Sequence, residues 1–318
     1  MSFPTRSTFQ LAGASLFLLP FLLQAQFSNA PTDPAVPPSS TAASDGHAPA
    51  PAASFTVTGI SVQPRTLASM ASQLQPVEEV LTTVLSHYRA SGNRNGEANT
   101  LVALGNSCNS LGQQQKAIED FQEALTIYHE TGNRSMEANA LSRIGDVYHG
   151  WGFPDMAVRF YRDALQIRDQ TGGAREKANL LNNLGVIYLA LSNKKKSLDY
   201  LKQAREDYRD AGDRHAETLT LINIAAAENF LAHDAHKSIT LLQQAIGELE
   251  PLNDRVNEAD AYELLGVAWA GLHKVETAQM SFERALALYR EAEDAKGETS
   301  VLRRLRMLHG HEELASIR

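Results

Sequence analysis

The 318-residue chain has the composition of a folded protein, since 43% of its residues are hydrophobic and 21% are charged. Its formal net charge of -8 argues against a nucleic-acid-binding protein, because binding to phosphates requires clustered lysine and arginine. A single cysteine, Cys108, excludes an internal disulfide and any Cys-x-x-Cys metal or redox motif.

The first 25 residues have the organisation of a secretory signal peptide. Arg6 precedes an apolar run over residues 11–23, LAGASLFLLPFLL, and Ala25 is a small residue at a plausible cleavage point. The run is short for a membrane span and is interrupted by Pro20. We therefore predict a signal peptide over residues 1–25 and a periplasmic or secreted protein of bacterial type. The alternative is an uncleaved segment that anchors the chain in the membrane.

Residues 26–55 are predicted to be a disordered linker. Residues 31–55 consist mainly of proline, alanine and serine, with almost no large apolar side chain. Such a segment buries too little surface to offset the entropy lost on ordering, and it behaves as a semi-extended spacer. The alternating piece that follows, FTVTGISV at 55–62, has a strand-like pattern but no evident partner strand.

From residue 74 onward the chain repeats itself with a period of 40 residues. Glycine recurs at a fixed point of the unit, at Gly105, Gly145, Gly185 and, after one inserted residue, Gly266. Each unit also contains two apolar stripes at helical spacing, separated by a short turn. A fixed period in this range predicts a stacked array of helical hairpins.

Small residues mark the point where the two helices of a unit are expected to cross. In the first full unit Gly105 lies on the first helix and Ala117 on the second, and Phe121 fills the space beside them. A large side chain at either crossing position would separate the helices. The later units repeat this combination of small and large residues.

The motif LG-x-x-C-x-x-LG at 104–112, followed by A-x-x-x-F-x-x-A at 117–124, resembles the tetratricopeptide repeat. Its length of 40 residues resembles the repeats of kinesin light chain and of bacterial signalling proteins. The resemblance covers residues 74–318. It implies an all-α fold, a right-handed superhelical solenoid of antiparallel helix hairpins, in which the first helices line a concave groove.

Five repeats are predicted over residues 93–293, at 93–132, 133–172, 173–212, 213–253 and 254–293. Residues 56–92 are predicted to be a degenerate N-terminal half-repeat, in which 74–92 matches a second helix and a degenerate first helix lies at about 65–73. Residues 299–318 match a first helix, and residues 294–318 are predicted to be the C-terminal capping helix. The fourth repeat departs most from the pattern, since Ala225 replaces its glycine and Glu228 its aromatic residue.

Polar residues recur on one face of the first helices, at spacings of four and seven that keep them together. The predicted concave-face residues that bind a peptide or partner are Asn99, Asn106, Asn139, Arg143, Asp146, Asn179, Asn183 and Asn223. An asparagine amide both donates and accepts, so a ladder of them could pair with the backbone of an extended peptide, which is similar to how kinesin light chain repeats hold cargo peptides. The alternative is that these residues are tolerated on the surface or form inter-helix hydrogen bonds. If they form a ladder, we expect Asn139→Ala with Asn179→Ala to weaken partner capture without lowering the melting temperature.

Other conspicuous residues have plainer interpretations. The pairs His233/His236 and His309/His311 resemble metal-ligand spacings but are interpreted as a solvated loop and a frayed helix. Trp151 shares a column of the repeat with leucines, and Cys108 shares one with tyrosines, so both are predicted to be buried. The sequence contains no phosphate-binding loop, nucleophile elbow or zinc-protease motif, and we predict no catalytic residue, no metal and no cofactor.

The predicted function is a non-catalytic scaffold or adaptor that binds a peptide or partner protein in its groove. Neither nucleic acid nor a small-molecule substrate is expected, and contact with a membrane is expected only through an uncleaved signal segment. The alternative is a regulatory partner of a separately encoded effector enzyme, either a caspase-like peptidase or a kinase.

Overall fold

The computed structural model describes residues 56–57, 60–61 and 64–316, with side chains described from 78 to 308. The predicted signal peptide (1–25) and linker (26–55) lie outside the described residues. Strand β1 (Thr56–Val57) pairs antiparallel with β2 (Ile60–Ser61), and Val57 lies opposite Ile60. The strand-like segment therefore supplies its own partner.

Twelve α-helices make up the described chain from residue 64 onward. They are α1 (Pro64–Ser91), α2 (Arg94–Ser110), α3 (Gln114–Glu130), α4 (Arg134–Trp151), α5 (Pro154–Thr171), α6 (Ala174–Ala190), α7 (Lys194–Asp210), α8 (Arg214–Phe230), α9 (Ala235–Leu249), α10 (Arg255–Gly271), α11 (Val275–Glu291) and α12 (Ala295–Ser316), with a 3-10 turn at Glu250–Leu252. Helices α2 to α11 form five hairpins, each packed on the next. The predicted all-α solenoid of antiparallel hairpins is confirmed. Within residues 64–316, no helix has the length and apolar character that crossing a bilayer requires.

In four of the five hairpins the two helices cross at the predicted glycine. A Cβ added to Gly145 would lie 2.7 Å from the Tyr161 ring, and one added to Gly105 would lie 2.7 Å from the Phe121 ring. In the third repeat the hydroxyl of Ser197 donates to the carbonyl of Gly185 at 2.9 Å. The close approach of the two helices explains why the sequence has a glycine here in four of the five repeats.

Most of the turns that join one repeat to the next end in a capped helix. The side chains of Asn93, Asn133, Asp213 and Asp254 each accept a hydrogen bond from a backbone N–H of the first helical turn. The turn between the second and third repeats lacks such a cap, because its two residues are Gly172 and Gly173, with φ of +82° and +97°. Glycine in place of a capping side chain costs only a few tenths of a kcal/mol, but two consecutive glycines also leave the backbone its widest conformational freedom, so this junction is the least constrained of the repeat boundaries.

The two end helices differ from the repeats. Helix α1 is continuous over 28 residues, against 17 for α2, so no turn separates the expected first helix at about 65–73 from the second helix at 74–92. It extends about 16 Å past the hairpin that follows, at 1.5 Å per residue. At the other end α12 covers the last hairpin, where Val301 and Leu308 are buried.

Candidate partner-binding groove

From the third repeat onward, the first helices of adjacent repeats lie closer together than the second helices do. Helix α6 contacts α8, α8 contacts α10 and α10 contacts α12, so first helices of adjacent repeats touch directly. Within residues 64–316, no two second helices of adjacent repeats pack as closely. Because helices on the inside of a curve lie nearer to each other, the face of the first helices that carries the predicted asparagines lines the candidate groove.

Three of the predicted asparagines accept a hydrogen bond from the second helix of their own repeat. The pairs are Tyr128 with Asn99 at 2.7 Å, Arg168 with Asn139 at 2.6 Å and Tyr208 with Asn179 at 2.5 Å. Each pair is separated by 29 residues, and in the fifth repeat Tyr289 donates to Asp260 at the same separation. These contacts are inter-helix hydrogen bonds, so each one fixes the orientation of an amide or carboxyl group at the groove.

The Nδ2 groups of these asparagines, opposite the oxygens that accept the hydrogen bonds, lie on the solvent side. Asn99 and Asn179 are exposed, and among the described side chains their Nδ2 groups donate to no acceptor. The Nδ2 group of Asn139 lies 3.4 Å from the sulfur of Met136. Asn106 is exposed, and its side chain forms no hydrogen bond with the described residues. At least three amide groups are therefore available to a ligand.

Asp146, Arg143 and Asn183 surround the hydroxyl of Tyr161. Tyr161 donates to Asp146 at 2.7 Å, Arg143 lies 3.8 Å from the other carboxylate oxygen, and Asn183 of the next repeat hydrogen-bonds to Tyr161. Burial raises the pKa of Asp146 to about 6, although the hydrogen bond from Tyr161 and the charge of Arg143 act to lower it. This cluster joins α4, α5 and α6 beneath the groove.

Asp146 makes stability depend on pH. Its folded pKa lies above its ordinary value, so the folded chain keeps a proton that the unfolded chain loses as the pH rises from about 4 to about 6. Stability therefore falls across this window and stays lower above it. We expect Asp146→Asn, which still accepts from Tyr161, to raise the free energy of unfolding by on the order of 1 kcal/mol at about pH 8 and to leave it unchanged at about pH 4.

Urea unfolding at both pH values measures this effect. Asp163→Asn, on the exposed side of α5, is the matched control and should give no pH-dependent difference. An equal gain for Asp146→Asn at both pH values would contradict the assignment.

Asn223 is used to join two first helices. Its Nδ2 group donates to Asn182 at 3.1 Å, and the hydroxyl of Thr220 lies 3.4 Å from the same acceptor. The sequence interpretation did not include Asn182, although its amide lies three residues after Asn179 on the same helix. The bridge ties α6 to α8 across a repeat boundary.

The groove changes from polar to apolar along the array. Val186 of α6 takes the position of Asn106 and Asp146, and Leu219 of α8 takes that of Asn99, Asn139 and Asn179. Ala190 of α6 and Phe230 of α8 share a position with the smaller residues Ser110 and Gly150. These four side chains are partly buried and pack on the core of the third to fifth repeats. The sequence analysis did not predict this apolar half of the groove, because it considered only polar residues on the first helices. Leu219, which takes the repeat position of Asn99 and Asn179, could have indicated it.

Trp151 is not buried, contrary to the prediction. Its exposed fraction is 38%, and Phe153 beside it is 47% exposed. The residue lies at the last position of α4, beyond the crossing of the hairpin, and Leu191 in the same column is 41% exposed. Cys108 is buried as predicted, and burial raises the pKa of its thiol to about 11.

A surface cleft of about 210 Å³ lies between α7 of the third repeat and the hairpin α8–α9 of the fourth. Tyr148 stacks on Phe160 in the second repeat and Tyr188 on Tyr200 in the third, but Glu228 and Leu241 take these positions in the fourth. Glu228 pairs with Lys237 at 2.5 Å.

Across the described residues, histidine, cysteine and carboxylate side chains form no group of three that could hold a metal.

Comparisons with known proteins agree with this architecture. Residues 98–130 and 136–210 match family models described as tetratricopeptide repeat. No curated protein sequence matches the chain.

Solved structures resemble it in fold at low sequence identity. The crystal structure of BtubC (BKLC) from P. vanneervenii is 18% identical with a TM-score of 0.62, over 70% of this chain and 92% of that one. A putative kinesin light chain with nearly identical TPR-like repeats from Podosopora anserina is 15% identical with a TM-score of 0.51, over 62% and 97%. Aspartyl phosphate phosphatase F from Bacillus subtilis is 14% identical with a TM-score of 0.60, over 95% and 79%.

Proposed function

Because this chain is a tetratricopeptide repeat protein, we propose that it is a non-catalytic scaffold whose inner groove binds an extended peptide or a segment of a partner protein. The observation that carries the proposal is the orientation of Asn99 and Asn179. Each amide is held through its oxygen by a tyrosine and has its Nδ2 group on the exposed side. A donor fixed in this way can recognise a backbone carbonyl whatever the ligand's sequence.

The apolar half of the groove supplies binding free energy that the amide hydrogen bonds alone cannot provide. A hydrogen bond contributes about 0.5–1.5 kcal/mol net, whereas micromolar affinity requires about 8 kcal/mol. Val186, Leu219 and Phe230 are partly buried and could bury apolar side chains of a ligand at about 25 cal/mol per Å². We therefore expect a ligand whose backbone pairs with the first two repeats and the start of the third, and whose apolar side chains lie against the third and fourth.

The double variant Asn99→Asp with Asn179→Asp tests the groove. Aspartate keeps the acceptor for each tyrosine, as Asp260 does for Tyr289, but it removes the Nδ2 donor. We expect the variant to keep its melting temperature and to bind at least about ten-fold more weakly, a loss of about 1.4 kcal/mol. The probe is the tightest peptide selected from a phage-displayed random library on the unmodified chain, measured by calorimetry.

The matched control is Gln122→Glu with Gln203→Glu, the same amide-to-acid change on exposed positions of second helices. It should bind the selected peptide as the unmodified chain does. A peptide whose affinity is the same for the groove variant and the parent, or a library that yields no binder, counts against the proposed groove.

We further propose that the chain acts outside the bacterial cytoplasm after removal of residues 1–25. N-terminal sequencing of protein from a periplasmic fraction should then begin at Gln26. Recovery of the uncleaved chain from the membrane fraction would favour the anchored form. A pull-down from the same extract that recovers a caspase-like peptidase or a kinase would favour the regulatory-partner alternative.

A further inference from the structure

We propose that the proline-rich segment of this chain, residues 31–55, packs on an exposed aromatic surface at the turn of the second repeat. This surface, here called the aromatic ledge, consists of Tyr148, Trp151, Phe153 and Phe160. It lies at the edge of the solenoid where α4 turns into α5, so it is separate from the groove and the proposal does not depend on the proposed function.

Four rings linked through Tyr148 form the aromatic ledge. Tyr148 stacks on Phe160 with centroids 5.4 Å apart, and Trp151 meets Phe153 edge to face at 5.3 Å. Tyr148 also contacts both Trp151 and Phe153, at 6.5 and 6.4 Å. Tyr148, itself stacked on Phe160, therefore holds the two exposed rings, Trp151 and Phe153, in fixed positions at the surface.

Phe153 takes the place of a residue that could stabilise the following helix. At the equivalent turns of the third and fourth repeats, Asn193 and Asp234 accept a hydrogen bond from the first turn of the second helix. Phe153 is the N-cap residue of α5 and makes no side-chain cap, although Pro154 at the first helical position partly compensates. The equivalent residues Gln113 and Lys274 also make no side-chain cap, but both are polar, whereas a large apolar residue that is 47% exposed favours a contact outside the hairpin.

The proline-rich segment joins the folded part at the same edge. The second helices of the repeats (α3, α5, α7, α9 and α11) all begin at the edge that carries the turns within the hairpins. Helix α1 runs in the same direction and begins at the same edge, about 16 Å beyond the hairpins. The ledge is two hairpins along, and adjacent helices pack 8–10 Å apart as a rule. A 25-residue segment in polyproline conformation spans about 75 Å, which is ample for residues 31–55 to reach it.

The chemistry of the segment matches the ledge and its surroundings. Its six prolines favour the extended polyproline conformation that docks on exposed aromatic rings. The segment contains Asp33 and Asp45 but no lysine or arginine. The next turn along this edge carries Lys194 and Lys195, which are exposed and form no ion pair with a described residue. Complementary charge and proline content together favour this segment of the chain as the occupant.

Trp151 provides a direct measurement in the full chain. The chain contains two tryptophans, so a Trp269→Phe background leaves Trp151 as the single fluorophore. In that background we expect replacement of the six prolines of residues 31–55 by serine to raise the acrylamide quenching constant of Trp151 about two-fold. The matched control replaces six alanines of the same segment by serine (Ala35, Ala42, Ala43, Ala48, Ala50 and Ala52) and should leave the constant unchanged.

Three further results decide the interpretation. Lys194→Ser with Lys195→Ser should raise the quenching constant at low salt and have little effect at high salt, because surface ion pairs are screened. Equal quenching of the proline variant and its parent would overturn the proposal. Quenching that changes with protein concentration would also overturn it, by assigning the ledge to a second copy of the chain.

Discussion

Glu263→Ala is expected to lower the free energy of unfolding by about 3–5 kcal/mol, the cost of removing one partner from a buried ion pair. Glu263 is fully buried in α10, and its carboxylate lies 2.5 Å from the guanidinium of Arg304 in the capping helix. The same carboxylate accepts from Ser300 at 2.9 Å and from Tyr289 at 3.2 Å. The substitution would leave Arg304, whose side chain is 11% exposed, without the carboxylate that faces it.

Urea unfolding and protease cleavage near residue 295 measure the effect of this change, since detachment of α12 exposes that segment. Glu298→Ala is the matched control, because Glu298 pairs with Arg290 at 2.9 Å on the exposed surface and exposed pairs contribute about 0–1 kcal/mol. If both variants lose the same stability, Glu263 does not hold the cap as described.

Gly145→Ala is expected to destabilise the second repeat by about 1–3 kcal/mol, the usual cost of overpacking. The added Cβ would lie 2.7 Å from the ring of Tyr161. That ring has little freedom to move aside, because its hydroxyl is hydrogen-bonded to Asp146. The loss would exceed the gain in helix propensity, which is at most about 1 kcal/mol.

A second glycine of the same helix separates these two effects. A Cβ added to Gly150 would meet no atom within 4 Å, so Gly150→Ala should stabilise the chain by up to about 1 kcal/mol. Thermal unfolding of the two variants should therefore shift in opposite directions. Stabilisation by both would show that the hairpin crossing tolerates a methyl group.

The fold was predictable because the same hairpin pattern recurs in the sequence five times. The 40-residue period, the glycines at the crossings and the large residues that fill beside them all specify the same hairpin, and Gly105 with Phe121 and Gly145 with Tyr161 meet as expected. The ends were harder to predict. A single unrepeated segment has no second copy to compare with, so the continuity of α1 across residue 74 could not be derived.

The candidate groove residues were found by their spacing, but their contacts were not. Asn139 and Asn179 bind side chains 29 residues further along, a distance that periodicity within one helix does not show. The expectation that Asn139→Ala with Asn179→Ala leaves the melting temperature unchanged is therefore not supported. Removing these acceptors would leave the hydroxyl of Tyr208 without its hydrogen-bond partner, which costs about 1–3 kcal/mol, and would take one acceptor from Arg168, which keeps its hydrogen bonds to Ser135.

Trp151 shows the limit of reasoning by columns. Aligned positions share a place in the hairpin, but exposure at a turn also depends on how far neighbouring side chains reach, and Leu191 in the same column is as exposed as Trp151. The neighbouring Phe153, a large apolar residue where the other repeats have Gln113, Asn193, Asp234 and Lys274, was the signal that this turn differs.

Because of the Gly172–Gly173 turn, the solenoid is expected to bend more easily between its second and third repeats than at the other repeat boundaries. In an array whose units touch only their neighbours, deformation collects where the link is softest. A bend at this turn would move the first two repeats as one rigid body relative to the last three. Opening or closing would then change the distance between the amide and apolar halves of the groove while leaving each half intact. The length of a ligand, as well as its sequence, would set how well it fits.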